Sequence, residues 1–442
     1  MGIKSLNPFL KEKCPQAFRD IPYSHFKGKR VAVDSDNVLM KLMSRSHKEI
    51  VNQTDVCARE PDRQAIVDRW LHHIKEEVNK FLKFGITLIF VFDGKYIDEK
   101  SETQTKRKEA KKKLVDAAAD KKQEVMSLDE LERTPQMVTE LRKKMHHLGK
   151  ISMEEKKMVA KMLSELGFPV LYATEEGEKL CAMLAIEGLV DCVYSKDTDV
   201  VAMGCPLCFN DEAGWVYNSD SGKTEMSVKS IDFRPILGAL KMEYDTFLDL
   251  CIMAGCDFNS NIPQLAVKKA YKLLVEHGNI DSFPESYNEK KEILNHIRCR
   301  EIFCRQKAAD ICQSELILNM NLDLKVNLTG LEEHVEFMQD WMRELKMHYL
   351  RFPTPSNIFI QKVPSQNSSR IRLVVAGKKE DDGNEEKVTN VPKQKASPKK
   401  MTQKGVQTLN LQQLEKFKAR MSVGSADPEK DVEKPKIKLV IS

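Results

Sequence analysis

The 442-residue sequence has no apolar run near the ~20 residues that cross a bilayer, and its N-terminus lacks the apolar core of a secretory signal. A membrane partner is therefore not expected. Met1-Gly2 opens like an acylation start, but position six is Leu6 rather than Ser or Thr, which sets that reading aside. The 11 cysteines are odd in number, scattered and embedded in apolar stretches such as Leu180-Cys181-Ala182. They read as small buried hydrophobes of a reducing compartment, which excludes a disulfide framework. Cys205 and Cys208 have no second pair nearby, as a structural zinc site requires, and are placed on a short strand. No internal repeat is present, and neither sign of charge dominates: 71 Lys and Arg stand against 66 acidic residues, a net charge of +5.

What is present is charge in quantity and in blocks. Charged residues make up 31% of the chain beside a hydrophobic 41%, enough for a globular body with a solvated remainder. The length allows roughly two domains and a tail. Basic residues bunch at Lys106–Lys113 and Lys393–Lys404. Blocks of this kind suit a nucleic-acid binder better than a membrane binder. The doublets His72-His73 and His146-His147 sit in charged helical stretches and are expected on the surface.

Hydrophobic periodicity gives an α/β reading. Val31–Val33, Ile86–Phe92, Pro169–Tyr172 and Cys192–Tyr194 are short strands, and Ala65–Phe84 and Met158–Leu166 carry helix-period apolar positions. Continuous apolar strands alternating with helices predict a mainly parallel central sheet flanked by helices on both faces. Residues 1–94 and 158–243 form this body. Between them, residues 95–157 are almost all Lys, Glu, Asp, Gln and Ala, which predicts a helical, poorly buried insertion standing away from the core. From Tyr244 to His277 two amphipathic helices flank an irregular stretch, Gly255–Ala266, and helix continues to about 349. Residues 365–442 have the composition of a disordered basic tail.

Acidic residues gather where strands end: Asp34, Asp93, Glu176, Glu178, Asp197, Asp199 and Asp257. Two of the groups are spaced i, i+2, which in extended chain turns both side chains the same way. Ligand sites of such sheets lie at the carboxyl ends of the strands, so neighbouring strands would point all these acids into one cleft. Like charges a few Å apart cannot all stay ionised without counter-charge. Two hard divalent cations supply it. Mg²⁺ takes oxygen ligands, and a pair of ions about 3.5–4 Å apart stabilises both oxygens of a phosphodiester displacement. A single such acid is more often a cap or a surface charge; the set carries the inference.

The opening Met-Gly-Ile-Lys-Ser-Leu, then Val-Ala-Val-Asp34, Val-Phe-Asp93-Gly-Lys95, Ala-Thr-Glu-Glu176-Gly-Glu178, Ser-Lys-Asp197-Thr-Asp199 and Ala-Gly-Cys-Asp257 resemble the flap endonuclease family of the 5′-nuclease superfamily. The motifs keep the family's order from Met1 to about His277, with weaker likeness to Trp341. The resemblance implies that Asp34, Asp93, Glu176 and Glu178 serve mainly one Mg²⁺, and Asp197, Asp199 and Asp257 mainly the other, with Mn²⁺ able to substitute. It makes residues 95–157 the helical arch, or gateway, for a single-stranded 5′ end. Lys100 and Arg107 would then contact the scissile phosphate, and Gly2 would lie close to the DNA. Residues 244–349 become a duplex-binding region resembling a helix-two-turn-helix, with Lys268 and Lys269 on the DNA.

Three departures from the family pattern stand out. Ser5 stands where the family usually has Gly, and Met40 where it often has an aromatic residue that stacks on a base. In the duplex-binding hairpin Gln264-Leu265-Ala266-Val267-Lys268 replaces Gly-Ile-Gly-Pro-Lys. In the tail, Leu411, Leu414 and Phe417 resemble a sliding-clamp-binding motif, without its leading Gln and second aromatic residue. The resulting expectation is a divergent member, a monomer acting on branched or 5′-ended DNA in the nucleus or another site of replication or repair. The alternatives are a junction-resolving or RNA-directed nuclease of the same superfamily, and a catalytically inactive adaptor with the nuclease fold.

Overall fold

A computed structural model describes residues 2–351 except 220, 286–287 and 322–325, together with strands at 358–362 and 371–375. The chain divides into two compact units, residues 1–314 with 320–354, and residues 315–319 with 355–442. In the second, the strands Ile358–Lys362 and Ile371–Val375 pair antiparallel. Apart from Ile371–Val375, the expected disordered tail, with Leu411, Leu414 and Phe417, lies outside the described residues.

The first unit is built on a seven-stranded sheet. Its strands are β1 (Phe18–Pro22), β2 (Arg30–Asp34), β3 (Thr87–Phe92), β4 (Val170–Tyr172), β5 (Cys192–Tyr194), β6 (Leu207–Asn218) and β7 (Lys223–Asp232). They lie in the order β1-β7-β6-β5-β2-β3-β4. The stretch β6-β5-β2-β3-β4 is parallel, with Ala32 beside both Ile89 and Val193. A long antiparallel β6–β7 hairpin and β1 extend one edge, so the sheet is mixed. In β3 all six residues, Thr-Leu-Ile-Phe-Val-Phe, are buried, the signature of a strand covered on both faces.

The helices are α1 (Leu6–Lys13), α2 (Ser35–Gln53), α3 (Arg63–Leu82), α4 (Ser101–Met126), α5 (Pro135–Met145), α6 (Met153–Glu165), α7 (Gly177–Ile186), α8 (Asp199–Ala202), α9 (Arg234–Leu240), α10 (Tyr244–Ala254), α11 (Val267–His277), α12 (Asn288–Leu294), α13 (His296–Phe303) and α14 (Val335–Arg351). Several ends are written in local chemistry. Asp62 accepts the N–H groups of Gln64 and Ala65 at the start of α3, and Ser152 with Glu155 forms a reciprocal cap on α6.

One sheet face, with Val31, Val33, Phe90, Phe92 and Tyr194, packs on α2, α3, α6 and Trp341 of α14. Alternate residues such as Ala32, Ile89 and Val193 turn to the other face, which α7 covers. Every residue of α7 from Gly177 to Ala185 is buried. The insertion is helical and mostly exposed, as its composition predicts, but it does not stand free. Ala118 and Val125 of α4 and Leu141 and Met145 of α5 close a small separate cluster with Val51 and Val56, at the far end of α2. The expectation for the histidine doublets fails at His73, which is buried between α3 and α2 with Nδ1 2.8 Å from Ser46 Oγ.

Candidate metal centre

The parallel strands β2, β3 and β5 end on a common edge, and the chain that leaves them carries the acids. Asp34 is the last residue of β2 and is buried; Ser195 donates to its Oδ2 at 2.6 Å. The Ser195 hydroxyl in turn accepts the N–H of Asp197 at 3.0 Å, which ties the end of β5 to the end of β2. Asp93 follows β3, and its Oδ1 accepts the Gly177 N–H at 2.8 Å. Gly94 pairs its N–H with the Glu175 carbonyl at 2.7 Å, and a Cβ there would run into the Ala173 carbonyl oxygen. The family's Asp-Gly pair is thus a steric requirement of this junction.

Two sequence expectations about these acids need correction. Glu176 and Glu178 do not sit side by side on a strand: Glu176 immediately precedes α7 and Glu178 lies in its first turn, as Asp199 does in α8. Helix starts suit them because the unpaired N–H groups and the macrodipole favour negative charge there. Asp257 follows helix α10 rather than a strand. Three of the seven meet closely. One carboxylate oxygen each from Asp93, Glu176 and Glu178 lie within 4.8 Å of one another.

Burial and mutual repulsion dominate the electrostatics. Asp93 is pushed up to about 7 by burial, by Asp36 and by Glu178. Glu176 rises to about 8 through burial and Glu178, although Lys100 pulls it back. Asp34 is raised well above the carboxylate range by burial and Glu178, and Asp199 by burial and Asp197. Asp197 is raised by burial, with Asp257 among its neighbours. These couplings link all seven acids into one constellation.

Two cations enter from the insertion. Lys100 pairs with Glu176 and lies 3.4 Å from Glu178. Burial works against its charge, but Glu178 and Glu176 hold the ammonium charged well above the ordinary lysine range. Nearly two turns into α4, Arg107 Nη2 meets Asp257 Oδ2 at 2.5 Å, and in its first turn Thr103 donates to the Asp257 carbonyl at 3.0 Å.

The remaining candidates are spread more widely. Gly2 lies against Asp197 and Thr198, whose atoms a Cβ would strike, and the Ile3 N–H bonds Thr198 Oγ1 at 2.6 Å. Met40 is exposed on α2. Lys268 pairs with Glu12 of α1 at 2.5 Å, and Lys269 reaches the Gln264 carbonyl at 3.1 Å. The turn that leads to these lysines retains a left-handed residue: Gln264 has φ 60°, and the Leu265 N–H bonds the Ile262 carbonyl at 3.1 Å. Positive φ at the third residue of a four-residue turn is normally glycine's place, with proline favoured before it. Here Pro263 supplies the proline and Gln264 carries the strain. Ser5 holds φ 55° in the same way. Sequence reasoning missed Ser195, which bonds Asp34; Asp36, which accepts the Asp93 N–H; and Lys156, which pairs with Asp36.

The donor set fits a hard divalent cation. It is all oxygen, and both carboxylate oxygens of the fully buried Asp199 have no hydrogen-bond partner among the described residues. An anion of that kind is costly unless a cation satisfies it.

Residues 1–114 match the XPG N-terminal domain and residues 167–257 the XPG I-region. Every acid of the constellation, with Lys100 and Arg107, lies inside these two stretches, and most of the insertion falls between them. Flap endonuclease 1 of Cryptosporidium parvum is 28% identical over 314 residues, 69% of this chain and 60% of that protein. The Yarrowia lipolytica flap endonuclease 1 is 28% identical over 345 residues, 76% of this chain and 84% of that protein. The chain thus spans about three fifths of the Cryptosporidium relative. The catalytic core of Rad2 in complex with DNA substrate aligns with 79% of this chain and 100% of its own, at 18% identity and a TM-score of 0.48. The acids of the candidate centre thus fall within the two XPG regions. In both family regions and in these relatives the chain is similar to the flap endonucleases, at a distance of 28% identity.

Proposed function

We propose that this protein is a structure-specific nuclease. It hydrolyses DNA phosphodiesters near single-strand/duplex junctions, releasing a 5′ flap or a short 5′ fragment in replication or repair. The observation that carries the reading is the close approach of Asp93, Glu176 and Glu178 beside the buried Asp34, Asp197 and Asp199, with Lys100 paired to Glu176 and Arg107 to Asp257 from the root of the insertion. Asp34, Asp93, Glu176 and Glu178 would hold one Mg²⁺, and Asp197, Asp199 and Asp257 the other. When bound, the ions supply Lewis-acid polarisation of the phosphate and a water acidic enough to attack at neutral pH.

The chain's own groups do the rest. Lys100 and Arg107 bring fixed positive charge to the place where a phosphate would gain negative charge, the arrangement that lowers a barrier most when it is preorganised. Ser195 and Gly177 hold Asp34 and Asp93 in place from beneath. Lys268, Lys269 and the lysines of α4 supply a sequence-independent attraction for the DNA backbone. The protein acts as a monomer, in the nucleus or another compartment where DNA is replicated.

The test is a cleavage assay on flap, nicked and four-way DNA labelled at the 5′ end, with and without Mg²⁺. Metal-dependent release of short 5′ products from flap and nicked substrates is expected. Paired nicks in the four-way substrate alone would favour a resolvase, and binding without cutting would favour an adaptor.

A further inference from the structure

The insertion meets the carboxylates at both of its roots. At the first, Lys100 lies on Glu176 and Glu178. At the second, Lys156 in the first helical turns of α6 places Nζ 2.5 Å from Asp36 Oδ1. The other oxygen of Asp36, Oδ2, accepts the backbone N–H of Asp93 at 2.9 Å. Lys156 Nζ also lies 5.9 Å from the centre of the Phe92 ring, at the end of β3. A relay of two bonds thus runs from α6 through the start of α2 to the backbone that presents Asp93.

We propose that Asp36 and Lys156 are positioning residues for Asp93, fixing the end of β3 from the α2–α6 side and so setting the affinity of the carboxylate cluster for a divalent cation. The inference rests on the metal-binding reading given above. Both oxygens of Asp36 are already engaged, one by the ammonium and one by the N–H, so it is not an eighth member of the ligand set. The Asp93 carboxylate is separately held by Gly177 on α7. Its backbone and its side chain are therefore pinned by different elements, which leaves the carboxylate little freedom to turn away. Lys156 has a second effect. Asp36 is an anion beside Asp93, and without the ammonium it would add its repulsion to a cluster already crowded with acids. The side chains of Asp36 and Lys156 are only 28% and 19% exposed, so solvent screens the pair less than a surface one. Partners that orient a metal ligand commonly change metal affinity by about 10–100-fold when removed.

The experiment measures Mn²⁺ binding to the full chain without DNA, by the loss of the free-ion paramagnetic resonance signal. Folding of each variant is checked by circular dichroism. Lys156→Met, which keeps the apolar stem, and Asp36→Ala should each weaken Mn²⁺ binding on the order of 10-fold. Lys156→Arg should restore it. The half-saturating Mg²⁺ for flap cleavage should rise in step, with cutting recovered at high Mg²⁺. Folded variants with a lowered melting point but unchanged Mn²⁺ affinity would overturn the proposal, because the pair would then serve stability alone. Tighter binding by Lys156→Met would also overturn it, since Asp36 would then be a ligand with which Lys156 competes. A wild-type chain that binds no Mn²⁺ would defeat the metal-centre reading itself. Wild-type binding that the variants leave unaltered would defeat only the positioning role.

Discussion

The carboxyl edge of the sheet and the turn between α10 and α11 have diverged unequally. All seven acids of the family pattern are present at or near the edge, and Asp34, Glu176, Glu178, Asp197 and Asp199 are buried. In the turn the pattern's two glycines are Gln264 and Ala266, yet the backbone still passes through a left-handed residue. The difference follows from what each residue supplies. A buried carboxylate supplies charge at a point, and no other side-chain type does so with the same reach. A turn glycine supplies a backbone shape, which a preceding proline and a strained exposed glutamine can also reach at a cost of roughly 1 kcal/mol. Chemistry is held fixed where the side chain acts, and sequence drifts where only the path of the chain matters.

The sharpest break in this comparison is removal of an acid. Asp199→Ala or Asp93→Ala should abolish flap cleavage while DNA binding, measured by gel shift, stays largely intact. Full-rate cutting by either variant would mean that the edge is no less tolerant than the turn. Arg107 joins the two regions, since it starts on α4 and pairs with Asp257 just beyond α10. Arg107→Ala should lower the single-turnover rate on the order of 10²-fold, as loss of an oriented electrostatic donor does. Neutralising two of Lys111, Lys112 and Lys113 should instead weaken binding and flatten its salt dependence, with the rate at saturating enzyme little changed. The reverse pattern would show that the register of the insertion has been misassigned.

A smaller effect comes from protons. Asp93 near 7 and Glu176 near 8 stand above the ordinary values of 3.8 and 4.5, so the folded chain keeps protons that the unfolded chain has released. Between those limits the folded state binds more protons, and stability therefore falls as pH rises from about 4 to about 8. In EDTA the unfolding midpoint should decline across that window, by an amount on the order of 1 kcal/mol or more in stability. Added Mg²⁺ should restore most at the alkaline end, where it no longer competes with protons. A midpoint in EDTA that rises between pH 6 and 8 would contradict the crowding of these acids.

The smallest effect belongs to the turn. Gln264→Gly should raise the unfolding free energy by roughly 0.5–1 kcal/mol in urea titration, and Ser5→Gly should act in the same direction, both without altering the cleavage rate. A loss of stability on Gln264→Gly would show that the glutamine side chain, and not the turn it occupies, is what this chain has kept.

Much of the body could be read from periodicity. The four strands that lead into the acids were placed to within about a residue, because runs such as Thr87–Phe92 are buried on both faces and carry no polar interruption. The helices on either side of Gly255–Ala266 were equally plain. β1, β7 and most of β6 carry no clear strand signal; only the start of β6, at Cys208, matches the short strand expected there. Strands such as Lys223–Asp232 are half exposed and polar, and β1 finds its partner more than 200 residues away, where no local pattern reaches. The i, i+2 spacing of Glu176 and Glu178 suggested strand where the chain forms a helix start; Gly177 between them made both states possible. Asp36 and Lys156 carried no signal at all. An acid two residues beyond Asp34 and one lysine among many acquire a role only when α2 and α6 are brought together.

The six residues Val51, Val56, Ala118, Val125, Leu141 and Met145 hold the middle of the arch in a cluster separate from the core beneath the sheet. An assembly that small opens at a fraction of the free energy that protects the strands. In deuterium exchange the amides of α4 and α5 would form their own cooperative unit, labelling together while β2 and β3 remain protonated. α4 and α5 would then open and re-form as one piece, on a timescale of their own.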